Sequence, residues 1–373
     1  MKLSKLSISG YKSYGVMHNP IEFCDLNIII GPNGVGKSNL VSFLEMIAYM
    51  TTDAFGDFVE GNGYADALLH SRREHIDHIE GKLCFTDDGT TDEYEIVLKQ
   101  GVGGELYISR EIIRYQTAGY SEPFEKKFKG SGGRTSLLAQ AEQDATARIM
   151  LAILKGCRVF HFNDTTFRAR IRMPGYAEDD RYLRSDGGNI AAYLYRMKND
   201  GSLKPYYDRI VKMIREVFPR FDGFSLHPRA NESGAEYISL NWKEKGCDGL
   251  FGPHQMSDGT IRFIALSTLL MGPVSEQPEI IILDEPEIGL HPHAIRVLSE
   301  MMRMVSKDKQ IIVTTQSRDL LNQFEVENII VADFDAIQET STLKRLDEEE
   351  LKDWINEYSL ADLWEKNVLG GNP

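Results

Sequence analysis

"IIIGPNGVGKSNLVSFL", Ile28 to Leu44, sets three β-branched residues directly before a glycine-rich turn and follows the turn with a lysine, a serine and an amphipathic run. Gly31, Gly36, Lys37 and Ser38 satisfy the spacing G-x-x-x-x-G-K-[ST]. The flanks are those the loop requires: an apolar strand over Leu26 to Ile30, then helical spacing at Leu40, Phe43, Leu44 and Ile47. Glycines there let successive backbone N–H groups aim inward, and the following helix adds its positive N-terminal end, so the turn makes a concave anion site. Gly31, Pro32, Asn33, Gly34, Val35, Gly36, Lys37, Ser38 and Asn39 are expected to surround the phosphates of ATP. In that arrangement Lys37 reaches the β- and γ-phosphates and Ser38 ligates Mg²⁺.

A second stretch, "PEIIILDEPEIGLHP" from Pro278 to Pro292, opens with the apolar run Ile280 to Leu283, which suits a strand buried on both faces of a parallel sheet. It ends in adjacent carboxylates. Strand side chains alternate in direction, so Asp284 and Glu285 cannot share one face. Asp284 is read as the metal carboxylate and Glu285 as the general base that polarises a water. Upstream, "HQMSDGTIRFIALSTLL" places Ser257, Asp258 and Gly259 before a helix whose apolar positions are Ile261, Ile264, Ala265 and Leu269. Serine is a good N-cap, and the start of this helix is a second phosphate-binding end.

A phosphate loop, a later S-D-G signature, and an apolar strand ending D-E-P-E with G-L-H-P behind it resemble, in order and spacing, the ABC-type ATPase heads of the SMC, RecF and OLD group. The opening "LSISGYKSYG" is similar to their first strand. The closing "YSLADLWEKNVLGGNP" resembles the shorter "AAA family" ATPases of that group, many of which belong to bacterial antiphage defence systems. The resemblance implies an α/β ABC-ATPase head, with a mostly parallel core sheet, an antiparallel β lobe and a compact helical insertion. It also implies that Ser257 and Gly259 act in trans on the γ-phosphate held by another subunit, in a head-to-tail dimer around two ATP. Gly289, Leu290 and His291 then match the D-loop crossing the same interface, with assembly above the dimer left open. The partner implied is a separate effector of the nuclease kind.

In "IIVTTQS", Ile311 to Ser317, Gln316 stands where the family's switch histidine is expected. Its amide can donate a hydrogen bond but carries no charge, so turnover is expected to be slow. This leaves a competing reading, an ATP-stabilised scaffold or sensor with little or no turnover. A transporter subunit fits poorly, because the signature is S-D-G rather than L-S-G-G-Q. The usual Q-loop glutamine is not found in "DALLHSRREHIDHIEGKLCF", which offers His70 and Ser71 instead. His70, His75 and His78 match no metal template.

The rest is organisation. Residues 1–114 form an N-terminal lobe that ends in alternating strands with turns at "DDGTTD" and "GVGG". Residues 115–230 read as a mainly helical insertion without heptads, and 231–373 as the C-terminal lobe. Asp186 and Asn189 are expected as turn and cap residues. Asp333 and Asp335 form a D-x-D on a late strand, with too little chain after Gln316 for the nuclease domain that pattern can mark. "LDEEELKDWINEY" is read as an acidic helix with Trp354 packed inward. The net charge of −14 works against nucleic-acid binding by the whole surface, leaving "FRARIR" and "FEKKFK" as basic faces. Four scattered cysteines without a C-x-x-C pair are expected as reduced, packed thiols. No run of about 18 apolar residues occurs and the start lacks an apolar signal core, so the expected location is the cytoplasm, without membrane association.

Overall fold

The computed structural model describes residues 1–70, 76–87, 89–116, 123–129, 133, 136, 138, 143–232 and 234–371. Two compact units divide the chain: Met1–Val159 with Phe324–Pro373, and Phe160–Gln323. The division at 159/160 falls inside the segment read from sequence as one helical insertion. Its helix Ala145–Lys155 lies in the first unit, and its helices Ile190–Asn199 and Lys204–Val217 lie in the second.

In the first unit, Lys2–Tyr11 runs antiparallel to His78–Asp87, and Thr90–Gln100, Leu106–Gln116 and Phe124–Lys129 follow as successive antiparallel neighbours. The alternation read in the sequence is real: Leu83 and Phe85, then Tyr94, Ile96 and Leu98, turn one face of this sheet into core. Gly81 marks where the helix Lys37–Met50 meets that face. A methyl group there would lie 2.5 Å from the ring of Phe43, so the sheet sets the position of the helix behind the phosphate loop. Ahead of the loop, Leu26–Ile30 is buried at every residue and pairs in parallel with Ile329–Asp335, Ile28 opposite Ile329. Each buried isoleucine there contributes about 1.5–3 kcal/mol of transfer free energy, which anchors the loop's entry strand.

In the second unit, Ile280–Asp284 pairs in parallel with Gln310–Thr315 through the crossover helix Pro292–Val305. The strand is buried up to Leu283, so the carboxylates begin where the core ends. The helix Asp258–Met271 is buried continuously from Ile261 to Met271, as expected of a helix enclosed in the core.

Three expectations change. Trp354 is 43% exposed, because the acidic helix stops at Leu351 and the turns beyond it carry the indole outward against Tyr358. Leu351 and Trp364 take the inward positions. Cys247 is an exposed thiol rather than a packed one, and Cys157 alone is fully enclosed, its pKa pushed up to about 12 by burial. The "FRARIR" segment is no continuous basic face, since Arg172 is buried while Phe167 stands in solvent stacked on His254. Among the described residues no helix is long and apolar enough to cross a membrane.

Candidate functional site

The phosphate loop of the first unit is shaped by its glycines. Gly34 and Gly36 take φ of +85° and +107°, and a side chain on Gly36 would lie 2.3 Å from Ser341 Oγ. Gly31 passes so close to the late strand that a methyl group would meet the Ala332 carbonyl oxygen at 2.4 Å. Lys37, 4% exposed, folds back inside the loop and donates to the carbonyl oxygens of Gly31 at 2.6 Å and Pro32 at 2.9 Å. Ser38 is exposed in the first turn of the helix, and Val35 is buried.

Polar side chains brace this loop, and of them only Asn39 was picked out by motif. Tyr14 donates to the Gly36 carbonyl at 3.1 Å, Asn39 donates to Ser13 Oγ at 2.7 Å, and Ser13 and Ser341 share a hydroxyl bond of 2.6 Å. The opening "KSY" holds Ser13 and Tyr14, while Ser341 lies more than 300 positions on and carries no motif signal. The donor set fits a nucleoside triphosphate and its metal: an enclosed ammonium at Lys37, and an exposed hydroxyl at Ser38 as a hard oxygen ligand.

In the second unit the strand Ile280–Asp284 delivers Asp284, whose carboxylate accepts from the Thr314 hydroxyl and whose carbonyl accepts from Asn163 Nδ2 at 2.9 Å. Glu285 follows in a left-handed conformation, φ +45°, which costs an L residue about 1–2 kcal/mol. Its own N–H, bonded to the Thr314 carbonyl at 2.9 Å, holds it there. Such strain, kept at a candidate base, is consistent with a backbone arranged for chemistry rather than comfort.

Glu287 is the residue that the motif reading passed over. It is 6% exposed, its Oε1 accepts from the Thr315 hydroxyl, and its Oε2 is buried with no hydrogen-bond partner. Burial pushes its pKa up to about 7; the Thr315 hydrogen bond works the other way and the charge of Glu285 adds to the rise. Gln316 lies just past the strand end, exposed.

Ser257 is an N-cap as expected, accepting from the Thr260 N–H at 3.1 Å, and it is exposed, as is Asp258. Arg172 donates to Asp258 at 2.7 Å, which accounts for the burial of an arginine from a segment read as a basic face. Gly259 must be glycine because a methyl group would meet the Gly289 carbonyl oxygen at 2.2 Å, so signature helix and D-loop turn touch backbone to backbone. His291, exposed, caps the helix Pro292–Val305 by accepting from the His293 N–H at 3.3 Å.

Other sequence candidates take structural roles. His70 is buried against the Lys12 carbonyl at 2.8 Å, and His78 pairs with Asp77 on the surface; Ser71 and His75 lie outside the described residues. Asp333 accepts from the N–H groups of Phe334 and Gly371, and Asp335 from those of Ile337 and Gln338. No cluster of His, Cys, Asp and Glu able to hold a metal occurs among the described residues. Asp186 caps its own turn, while Asn189 staples the loop before its helix by bonding Arg184, Asp179 and Tyr182.

Two family models match, one described as "AAA domain" over residues 5–154 and one described as "AAA domain, putative AbiEii toxin, Type IV TA system" over residues 137–322. The energy-coupling factor transporter ATP-binding protein EcfA2 of Staphylococcus aureus is 30% identical over 105 residues, 27% of this chain. The chain spans only 35% of that relative's length. Among solved structures, an SMC head bound to the C-winged helix domain of ScpA superimposes with a TM-score of 0.57 at 17% identity, covering 95% of this chain and 100% of that one. An SMC head with an extended coiled coil, bound to the C-terminal domain of ScpA derived from Pyrococcus furiosus, gives 0.51 at 15% identity, with 95% and 98% covered. The phosphate loop, the acidic strand end and the capped signature thus sit on an SMC-head fold, and the chain carries ATPase domains of the AAA/ABC type.

Proposed function

We propose that this chain is an Mg-ATP-dependent ATPase of the cytoplasm that closes head to tail with a second copy around two ATP molecules, and so switches a separate effector of the nuclease kind in antiphage defence or a DNA-repair-like setting. The observation that carries the reading is the exposed, capped signature at Ser257, packed backbone to backbone on the D-loop turn, in a chain that also holds a complete phosphate loop. ATP and Mg²⁺ supply the phosphoanhydride and the Lewis acid when bound. Lys37 neutralises phosphate charge, Ser38 and Asp284 hold the metal, and Glu285 takes the proton of the attacking water. Gln316 donates to the γ-phosphate, while Ser257, Asp258, Gly259 and His291 face the nucleotide of the other subunit. ATP then favours the closed dimer by its differential affinity for that state. The match to a family described with an AbiEii toxin supports a defence setting.

Replacing Glu285 with glutamine removes the base and keeps the shape. Phosphate release is expected to fall about 100-fold or more, with ATP trapped in a stable dimer visible by mass in solution. A monomeric Glu285→Gln protein at saturating ATP contradicts the scheme. The second reading, an ATP-stabilised scaffold, draws on Gln316, and tight ATP binding with undetectable turnover in the wild type would favour it.

A further inference from the structure

Arg262 is 4% exposed and is the only charged residue in the buried stretch Ile261–Met271 of its helix. A buried guanidinium is costly unless its donors are all used, and burial lowers its pKa even with Asp258 and Glu287 nearby. Its fork is spent on three backbone carbonyls: Nε on Phe162 at 3.1 Å, Nη2 on Asn163 at 3.0 Å, and Nη1 on Ile288. Ile288 belongs to the turn that runs from Glu285 to Gly289, and Asn163 in turn donates its side-chain amide to the carbonyl of Asp284. Gly289, φ +76°, leaves the room the guanidinium needs, since a methyl group there would lie 3.1 Å from Nη1. A second buried arginine ends on the same strap. Arg172 donates to the Thr165 carbonyl at 2.8 Å while holding the Pro253 and Met256 carbonyls and the Asp258 carboxylate ahead of the signature helix.

We propose that Arg262 is a positioning residue that joins the signature helix, the strap Phe162–Thr165 and the turn behind the carboxylates into one mechanical body, so that a contact made at Ser257 sets the position of Glu285. This rests on the ATPase reading above. A planar fork spreads its donors over three nitrogens and so spans carbonyls on separate segments, whereas a lysine ammonium carries its three donors on one atom and replaces part of the junction. Any nucleotide contact that shifts Ser257 therefore moves the Glu285–Gly289 turn with it, without passing through a flexible loop.

The test uses Arg262→Lys, Arg262→Gln and, as a variant at an exposed position that removes the strap's own bond to the Asp284 carbonyl while keeping Arg262, Asn163→Ala. Binding of a fluorescent ATP analogue, steady-state phosphate release and amide hydrogen exchange at Ile288–Leu290 are measured on each full-length protein. The expected result is analogue binding within about 3-fold of wild type and an unchanged KM, with kcat down about 100-fold in Arg262→Gln, less in Arg262→Lys, and about 10-fold in Asn163→Ala. Exchange at Ile288–Leu290 is expected to quicken in the order wild type, lysine, glutamine. Wild-type exchange in a folded Arg262→Gln protein overturns the proposal, and so does a loss of activity that merely follows the melting temperature. If Arg262→Gln does not fold, a wild-type kcat in Asn163→Ala overturns it. If the wild type itself binds no analogue, it is the ATPase reading that fails, and the exchange result still decides the junction.

Discussion

The phosphate loop of the first unit and the carboxylate turn of the second both hold backbone in left-handed conformations, and they do so by opposite means. The loop uses residue type: Gly34 and Gly36 occupy positive φ without strain, and at Gly36 the hydroxyls of Ser341 and Ser13 crowd in where a side chain would be. The turn uses partners. Glu285 is held at φ +45° by the Thr314 carbonyl, with Glu287 pinned by Thr315 beyond it and Ile288 pinned by Arg262. A conformation supplied by residue type is robust and local; one imposed by distant side chains is costly, but it can report on what those side chains touch.

Methylating the loop is the harshest way to probe this contrast. Gly36→Ala places a β-carbon at φ +107° against Ser341 and Ser13, and is expected to cost about 2–4 kcal/mol in urea unfolding while abolishing binding of a fluorescent ATP analogue. Unchanged stability would mean that the loop, like the turn, is held by its surroundings.

The turn can be probed through its buried acid. The Glu287 pKa is raised from 4.5 to about 7, so between those values the folded protein keeps a proton that the unfolded chain has lost. Stability from this group is complete below about pH 4.5 and is lost as pH rises through about 7. In the nucleotide-free protein, wild type should therefore lose about 2–3 kcal/mol more than Glu287→Gln between pH 5 and pH 7.5, read from urea unfolding at both. Parallel losses in the two proteins would place Glu287 in a more solvated setting than its 6% exposure gives.

The smallest effect has the opposite sign. Glu285→Gly releases the left-handed strain and is expected to raise stability by about 0.5–1 kcal/mol, after the entropy of the new glycine is subtracted, while phosphate release is lost. A melting temperature that falls instead would show that Glu285 earns its conformation through contacts of its own.

The same contrast governs what could be read from the sequence. Strand, glycine turn and helix from Leu26 to Met50, the buried strand ending at Asp284, and the cap at Ser257 were all legible, because periodicity and residue type specify them within a short window. Arg172 was not. Its partner Asp258 lies 86 positions away, and in sequence the arginine is simply one of three in a basic run. Arg262 and Glu287 sat unremarked inside motifs read for their neighbours, although a charged residue within an apolar helix was a visible anomaly. Trp354 shows the converse error, an apolar residue assumed to be inward on a helix that ends before reaching it. The Q-loop glutamine was not legible because the stretch Asp66 to Phe85 contains no glutamine.

The most direct test of the switch is mass in solution together with phosphate release, with and without Mg-ATP, for the wild type and for Lys37→Ala. The account predicts that ATP converts the wild type to a dimer with slow phosphate release, and that the lysine variant loses both, release falling about 100- to 1000-fold. A wild-type protein whose mass and phosphate output are the same with and without ATP would contradict it.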